Sequence, residues 1–463
     1  MSEWCYELTP LTPLHIATGD TIEPFEYVIY EGRLYKFDPE AFLLALAPAE
    51  QNRFVDLAGT NLLAARKFLS ERGNLVKQIA EYSVPVSATT AAYYEQRLSN
   101  PQSDLSIGVF IRTNHRAYIP GSSLKGALRT ALLYVRATRD DQKIAEWNAK
   151  TLEQSTFEYR NPGDDPFKYF KISDSAERDE MTQLATVNVH TKTNEGWSKG
   201  KIPLLREVTW GVLTNHAKAR DVTVTFSVLV NETVARAARQ DRRAQWFEGK
   251  QIIAACRAFY GEHLKQEARF HQDDESSYVF YQALQKWVEQ LPDDACLIRL
   301  GWGSGFDAVT VRYARAGAKD ISTPRPSRKK RGKESKGEKP DLTLYTPASR
   351  RLAEGGAPLG WAELRIVRAN DASGIESLEK RLAQVGEIVV QEETPEPEKA
   401  TPIVTRAEST TPAVPATPSD IEALRARFAK PAPDTRRESP KPDAGEKERR
   451  KQEEIMRRMR KGL

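Results

Sequence analysis

The chain has 463 residues, 40% of them hydrophobic, and a formal net charge of +5. No apolar run approaches the roughly 20 residues that span a bilayer, and Met1-Ser2-Glu3-Trp4-Cys5 lacks the basic and apolar stretches of a secretory signal, so a cytoplasmic protein without a membrane partner is expected. Cys5, Cys256 and Cys296 are odd in number, far apart and contain no CxxC, which argues against a disulfide framework, a metal site or a metal cofactor; the mild charge permits nucleic-acid binding without demanding it.

The length predicts two or three structural units. Residues 3–9 alternate apolar and polar, which predicts a strand. Tyr27-Val28-Ile29-Tyr30, Glu31-Gly32 and Arg33-Leu34-Tyr35-Lys36-Phe37 predict a β-hairpin. Asp38 as N-cap and Pro39 at the first helical position start a helix, and the pattern stays mostly helical to about residue 100. Strand-like runs return at 169–172, 207–214 and 222–230. A charged helical segment covers about 232–292, followed by strand-like runs at 297–302, 309–313 and 362–367. Strands and helices mix without regular βα alternation, so the expected class is α+β.

Two segments have the composition of disordered chain. Residues 323–340 carry eight Lys or Arg against Glu334 and Glu338, and residues 391–447 are rich in Pro, Thr, Ala and Glu. The expected organisation is a core over 1–386, with helical insertions at about 39–100 and 232–292 and a basic flexible loop at 323–340. A low-complexity tail over 387–463 would end in a charged, basic helix.

The most informative stretch runs from Ala117 to Leu132. Leu124, Ala127, Leu128, Ala131, Leu132 and Val135 form the stripe of an amphipathic helix, with Ser122 or Ser123 placed to cap it. Lys125 and Arg129 lie one turn apart near the helix start, where free N–H groups and the positive end of the helix dipole converge. That combination suits a phosphate, and Gly121 and Gly126 would allow close backbone approach. It is not a P-loop, because Ala127 follows Gly126.

This block resembles the helix-1 signature of the RAMP superfamily, the repeat-associated RNA-binding proteins of CRISPR systems. Four further blocks resemble that family in order. Leu11-Thr12-Pro13-Leu14-His15-Ile16-Ala17-Thr18-Gly19 is similar to a "TPLHIGSG" opening, with Ala17 where the family often has Gly. Asp165-Pro166-Phe167 through Ser173-Asp174-Ser175 is similar to a "DPF…VSDS" strand. Leu300-Gly301-Trp302-Gly303-Ser304-Gly305-Phe306 resembles the late Gly-rich loop, and Pro358-Leu359-Gly360-Trp361 a closing "PLGWV" strand.

The resemblance covers roughly residues 1–367 and is nearest to the Csm-type subunit that caps the 3′ end of the guide RNA in type III-A effectors. It implies a ferredoxin-like, RRM-type fold with large helical insertions. It also implies a non-catalytic subunit that binds crRNA, docks on adjacent backbone RAMP subunits and supports crRNA maturation and antiviral defence, with host nucleases as further partners.

The expected RNA-binding residues are His15, Gly121, Ser122, Ser123, Lys125, Arg129, Lys192, Trp197, Gly301, Gly303 and Gly305, with no catalytic residue, cofactor or metal. His15 reads equally as a hydrogen-bonded structural histidine or as a group beside RNA. The Gly301–Phe306 loop is a GxGxG, not a dinucleotide fingerprint. It reads either as a structural turn or as a loop along RNA with Trp302 or Phe306 near a base, and the resemblance places it against the helix-1 region. Residues 187–201 mix His190, Lys192, Trp197, Lys199 and Lys201, which reads as a thumb-like hairpin suited to single-stranded RNA or, equally, as an ordinary exposed hairpin. The competing function is an endoribonuclease acting on precursor crRNA through His15, His115 and Lys125.

Overall fold

The structure is a computed structural model, and it describes residues 4–100, 103–138, 149–193, 195–229, 242–311, 347–368 and 373–389. The chain divides into two units, Met1–Phe42 with Arg66–Ala407, and Leu43–Ala65 with Glu408–Leu463. The described part of the second unit contains helix α2 (Pro48–Thr60), which starts with Pro at its first position. The basic segment 323–340 and the tail 391–463 lie outside the described residues.

The elements of the central sheet are β1 (Trp4–Pro10), β9 (Lys171–Ile172), β13 (Val224–Leu229), β14 (Ala295–Arg299) and β16 (Trp361–Arg368). All neighbours are antiparallel, in the order β14-β16-β1-β13-β9. The alternation read in residues 3–9 sets the faces: Tyr6 pairs with Phe226 and Ile366, and Leu8 with Val224 and Leu364. Helices α6 (Gly121–Ala137) and α9 (Gly249–His271) cover that apolar face. Leu124, Ala127, Leu128, Ala131 and Leu132 are buried as their spacing predicts. Each Leu so buried contributes about 1.5–3 kcal/mol. The two helices lie side by side: Tyr260 Oη donates to the Ala127 carbonyl at 3.2 Å, and the Tyr134 and Phe259 rings are 5.2 Å apart.

A second sheet has the order β11-β10-β12-β6-β2, from Gly196–Lys199, Thr182–Thr193, Leu204–Thr209, Ile107–Phe110 and Ala17–Ile22. Strand β15 (Ser349–Ala353) pairs with the far half of β10. A third sheet joins β3 (Tyr27–Tyr30), β4 (Arg33–Lys36) and β5 (Tyr82–Pro85). Its hairpin turns at Glu31 and Gly32, with φ of 48° and 70°, the two positive dihedrals a tight right-twisting hairpin needs. Asp38 caps α1 (Pro39–Ala45) as expected, its Oδ1 accepting the Glu40 N–H at 3.0 Å. The helical stretch to residue 100 is α1 to α5, namely α1, α2, α3 (Leu62–Ser70), α4 (Gly73–Ile79) and α5 (Ala88–Leu98), with β5 interposed. The ribbon β7–β8 (Arg112–Thr113, Arg116–Ala117) and helices α7 (Ala149–Thr156), α8 (Ala219–Val222), α10 (Glu275–Glu289) and α11 (Ser373–Val385) complete the elements used below.

Several expected strands are shorter or absent. The run at 169–172 begins as a 3₁₀ turn over Pro166–Tyr169, because Asp165 Oδ1 accepts the Phe167 N–H at 2.9 Å and Pro166 follows it. The run at 207–214 ends at Thr209, and the chain turns at Gly211, whose added Cβ would meet Thr12 and Pro13 at 2.9 Å. The run at 297–302 ends at Arg299, before Gly301 with φ of +85°. Val309–Val311 are not strand, and the rest of that run lies outside the described residues.

Strands β2, β6 and β15 and helix α11 are elements the sequence reading missed, the helix although Leu378 and Leu382 repeat at helical spacing. Both are buried, and Arg381 donates to Glu363 Oε1 at 2.5 Å while Trp287 Nε1 donates to Glu363 Oε2 at 2.8 Å. Gly386, φ +81°, ends the helix in the left-handed conformation. The Ile388 N–H then donates to the Leu213 carbonyl at 2.7 Å, so the packed core extends past residue 386. No described helix is long and apolar enough to cross a membrane.

Candidate nucleic-acid interface

The start of α6 is built for an anion, and the protein supplies one. Pro120 occupies the N-cap position, not Ser122 or Ser123, and neither serine makes a capping bond. Asp174 Oδ1 accepts the Gly121 N–H at 2.8 Å. Gly121 does permit close backbone approach, but to this chain: a Cβ there would meet the Ser173 and Ile172 carbonyls at 2.3 and 2.5 Å. Gly126, by contrast, faces open space.

Lys125 and Arg129 likewise have internal partners. Lys125 Nζ donates to the Phe167 carbonyl at 2.8 Å, and burial pushes its pKa down. Arg129 bonds Glu153 and, at 2.9 Å, Asp165, and its guanidinium lies 4.4 Å from the Phe167 ring. The two sequence blocks that were read separately, 117–132 and 165–175, are therefore one unit. The carboxylates of the second neutralise the cations and N–H groups of the first, and a phosphate at this place would have to displace them.

His15 is buried and hydrogen-bonded. It is 1% exposed, and its Nδ1 lies 2.6 Å from the Glu207 carbonyl. A carbonyl only accepts, so the proton is on Nδ1. Burial lowers the imidazole pKa to about 4, against the pull of that bond, with Arg206 adding to the fall. The Gly-rich loop packs on the same segment and on the 358–361 block. The Trp302 N–H donates to the His15 carbonyl at 2.7 Å, a Cβ on Gly301 would meet that oxygen at 2.6 Å, and one on Gly303 would meet Leu359 at 2.5 Å. Gly301, Gly303 and Gly305 have φ between +85° and +89°, the left-handed region that favours glycine. Those dihedrals shape the loop.

What the loop presents is aromatic and cationic. The His15 ring meets Trp302 edge-on at 5.5 Å. The guanidiniums of Arg206 on β12 and Arg351 on β15 lie 5.0 and 4.6 Å from the Trp302 ring centre. Among the described residues neither arginine pairs with a carboxylate; Arg206 donates to the Leu205 carbonyl at 2.7 Å. Burial lowers the Arg206 pKa and Arg351 adds to the effect, while Asp104 acts against it. Phe306, 48% exposed, and Val309, 61% exposed, stand at the end of the same loop. Two like charges over one half-buried ring suit an anion that binds both, and the ring and the nearby Phe306 suit a base. The sequence reading had Trp302 and Phe306 but not the arginines. They sit 145 positions apart on two strands that both flank β10, so no local pattern joins them.

The remaining expected residues are placed elsewhere. The β10–β11 hairpin is not a free thumb: Lys192 Nζ donates to the Phe270 carbonyl at 2.8 Å and to Asp273 at 3.0 Å, and Trp197 stacks on His271 at 4.7 Å. His115 is exposed at the β7–β8 turn and stacks on Tyr82 at 6.2 Å. Beneath that ribbon, buried Glu207 accepts from Tyr82 Oη at 2.9 Å, Arg112 Nη2 at 2.9 Å and the Phe110 N–H at 3.1 Å. No hydrogen bond or ring contact joins His15, His115 and Lys125 among the described residues, so the geometry does not assemble the endoribonuclease constellation.

Comparison with known proteins follows the same outline. Two relatives are both named CRISPR system Cms protein Csm5. The one from Methanocaldococcus jannaschii is 25% identical over 317 residues, covering 65% of this chain and 71% of the relative. The one from Streptococcus thermophilus is 26% identical over 235 residues, covering 43% of this chain and 58% of the relative. Among solved structures, a chain in a cryo-EM Csm–crRNA–target RNA ternary complex of a type III-A CRISPR-Cas system superposes with a TM-score of 0.54 at 21% identity, over 78% of this chain and all of that one. The crystal structure of T. onnurineus Csm5 gives 0.51 at 20% identity, over 77% of this chain and 99% of that one. The model of the RAMP superfamily matches residues 7–306, well over half of the sequence, and the chain belongs to that superfamily.

Proposed function

We propose that this chain is a non-catalytic crRNA-binding subunit of a type III-A Csm effector. It caps the 3′ end of the guide, docks on the adjacent backbone RAMP subunit and supports crRNA maturation and antiviral defence, with host nucleases as transient partners. The names of its relatives support the assignment to Csm complexes. The topology supports an RRM-type core. Strands β16-β1-β13-β9, with α6 and α9 as crossovers, follow the ferredoxin-like order, and β14 is an added edge strand. The cytoplasm is the compartment this role requires.

The observation that carries the RNA reading is the Arg206–Trp302–Arg351 cluster. Among the described residues its guanidiniums have no ion-paired carboxylate, whereas Arg129 has two. A guide-RNA phosphate between Arg206 and Arg351 relieves their repulsion, and a base stacks beside it. Phosphate contacts release counterions, so affinity falls with salt in proportion to their number.

The test measures binding of a single-stranded RNA oligonucleotide across a salt series. Arg206→Ala with Arg351→Ala is expected to weaken binding about tenfold or more at low salt and to flatten the salt slope by about one to two units. Lys125→Ala with Arg129→Ala is expected to lower thermal stability and leave the slope unchanged, because those cations hold the 165–167 turn. A folded Arg206/Arg351 variant with the wild-type slope would overturn the interface, and a flattened slope in the Lys125/Arg129 variant would restore the helix start as the phosphate site.

A further inference from the structure

We infer that Gly108 is the positioning residue that holds Arg206 over Trp302. The inference rests on the RNA reading of that cluster and names a residue no sequence motif singled out. Strands β6 and β12 run parallel, with Gly108 opposite Arg206. A Cβ built on Gly108 would meet Arg206 Cδ at 2.6 Å, Nε at 2.7 Å and Cζ at 2.9 Å. Its three nearest atoms thus all belong to one side chain. The arginine lies flat across the bare Cα, with its guanidinium 5.0 Å from the Trp302 ring centre.

A glycine inside a strand weakens it, since it forgoes packing and loses more backbone freedom on folding. Turn geometry does not account for this one, because Gly108 is absent from the positive-φ positions and lies within the β2–β6–β12 ladder. What the missing side chain provides is the floor on which the Arg206 stem rests. Any larger residue lifts that stem away from the sheet. The colliding atoms are the far part of a long, rotatable side chain rather than backbone, so the arginine swings aside and the strand stays paired. The consequence is a repositioned charge in a folded protein.

The experiment is a double-mutant cycle on the full-length chain, with Gly108→Ala, Arg206→Ala and their combination. Each is assayed for single-stranded RNA binding across a salt series and for thermal unfolding. Gly108→Ala is expected to lower affinity by about threefold to tenfold and to reduce the salt slope by about one unit, as Arg206→Ala does. The combination is expected to match Arg206→Ala alone, since the glycine acts only through that side chain. It should melt no lower than Gly108→Ala, because the collision is gone, which keeps the test decisive if the single variant folds poorly.

Wild-type binding by Gly108→Ala, or losses that multiply in the combination, would overturn the inference while leaving the cluster as the RNA site. Wild-type binding by both single variants would overturn the inference together with the RNA reading of Arg206.

Discussion

Glu267→Gln is expected to destabilise the protein by about 3–5 kcal/mol, the range for removing one partner from a buried ion network. Glu267, on α9, is 1% exposed. Its Oε1 accepts from Arg350 Nη2 at 2.6 Å, and its Oε2 from Arg299 Nη1 at 2.8 Å and Tyr281 Oη at 3.3 Å. Burial alone raises its pKa, but the two guanidiniums outweigh that and hold the carboxyl well below the usual carboxylate range.

Arg299 lies on β14 of the central sheet and Arg350 on β15 of the second sheet, so this one carboxylate joins the two sheets through α9. The amide keeps the shape and removes the charge. It leaves two arginines, 1% and 6% exposed, with Asp307 at 3.9 Å from Arg350 as the remaining acid. Urea unfolding of the purified variant measures the loss. A change under about 1 kcal/mol would show that water reaches the cluster and screens it. Arg351, the next residue, points to the Trp302 ring from the same strand. Moderate loosening of β15 should therefore weaken RNA binding before the molecule unfolds.

Acid is expected to remove roughly 3 kcal/mol of stability through His15 alone, from the difference between its ordinary pKa of 6.5 and its buried value of about 4. Above pH 6.5 the imidazole is neutral in both states and its contribution is fully present. Between pH 6.5 and about 4 the unfolded chain takes up a proton that the folded chain refuses, so stability falls with pH. Below about 4 the folded form is protonated too, and the loss levels off. His271, also pushed down by burial, acts in the same direction.

Chemical denaturation at a series of pH values measures the slope. His15→Gln keeps a donor for the Glu207 carbonyl and cannot titrate, so its profile should be flatter over that window. An unchanged profile would place the titrating group elsewhere. Because the His15 carbonyl holds the Trp302 N–H, the same acid window should weaken RNA binding.

The sequence by itself determined several features that depend on neighbours along the chain. The stripe from Leu124 to Leu132 made α6, Asp38-Pro39 started α1, Glu31-Gly32 turned the β3–β4 hairpin, and the alternation of residues 3–9 set which face of β1 is buried. The ordered motifs were also sufficient for the superfamily. These signals are periodicity, capping and turn dihedrals, and a few consecutive residues carry each of them.

Tertiary structure decided which charges are free. Lys125, Arg129 and the N–H groups at the start of α6 have the chemistry of a phosphate site. Their counter-charges, Asp174, Asp165 and Glu153, arrive only when β9 and α7 fold against the helix. No sequence motif marked Arg206 or Arg351, and they became a cationic cluster because β12 and β15 bring them to Trp302 with no ion-paired carboxylate among the described residues. Gly121 and Gly108 divide in the same way. A sequence shows that a glycine permits close approach, and only the fold shows whether its own backbone, an arginine or a ligand fills the space. Local conformation follows from short-range sterics and hydrogen bonding, whereas the state of a charge depends on every group within a few ångströms, and most of those are distant in the chain.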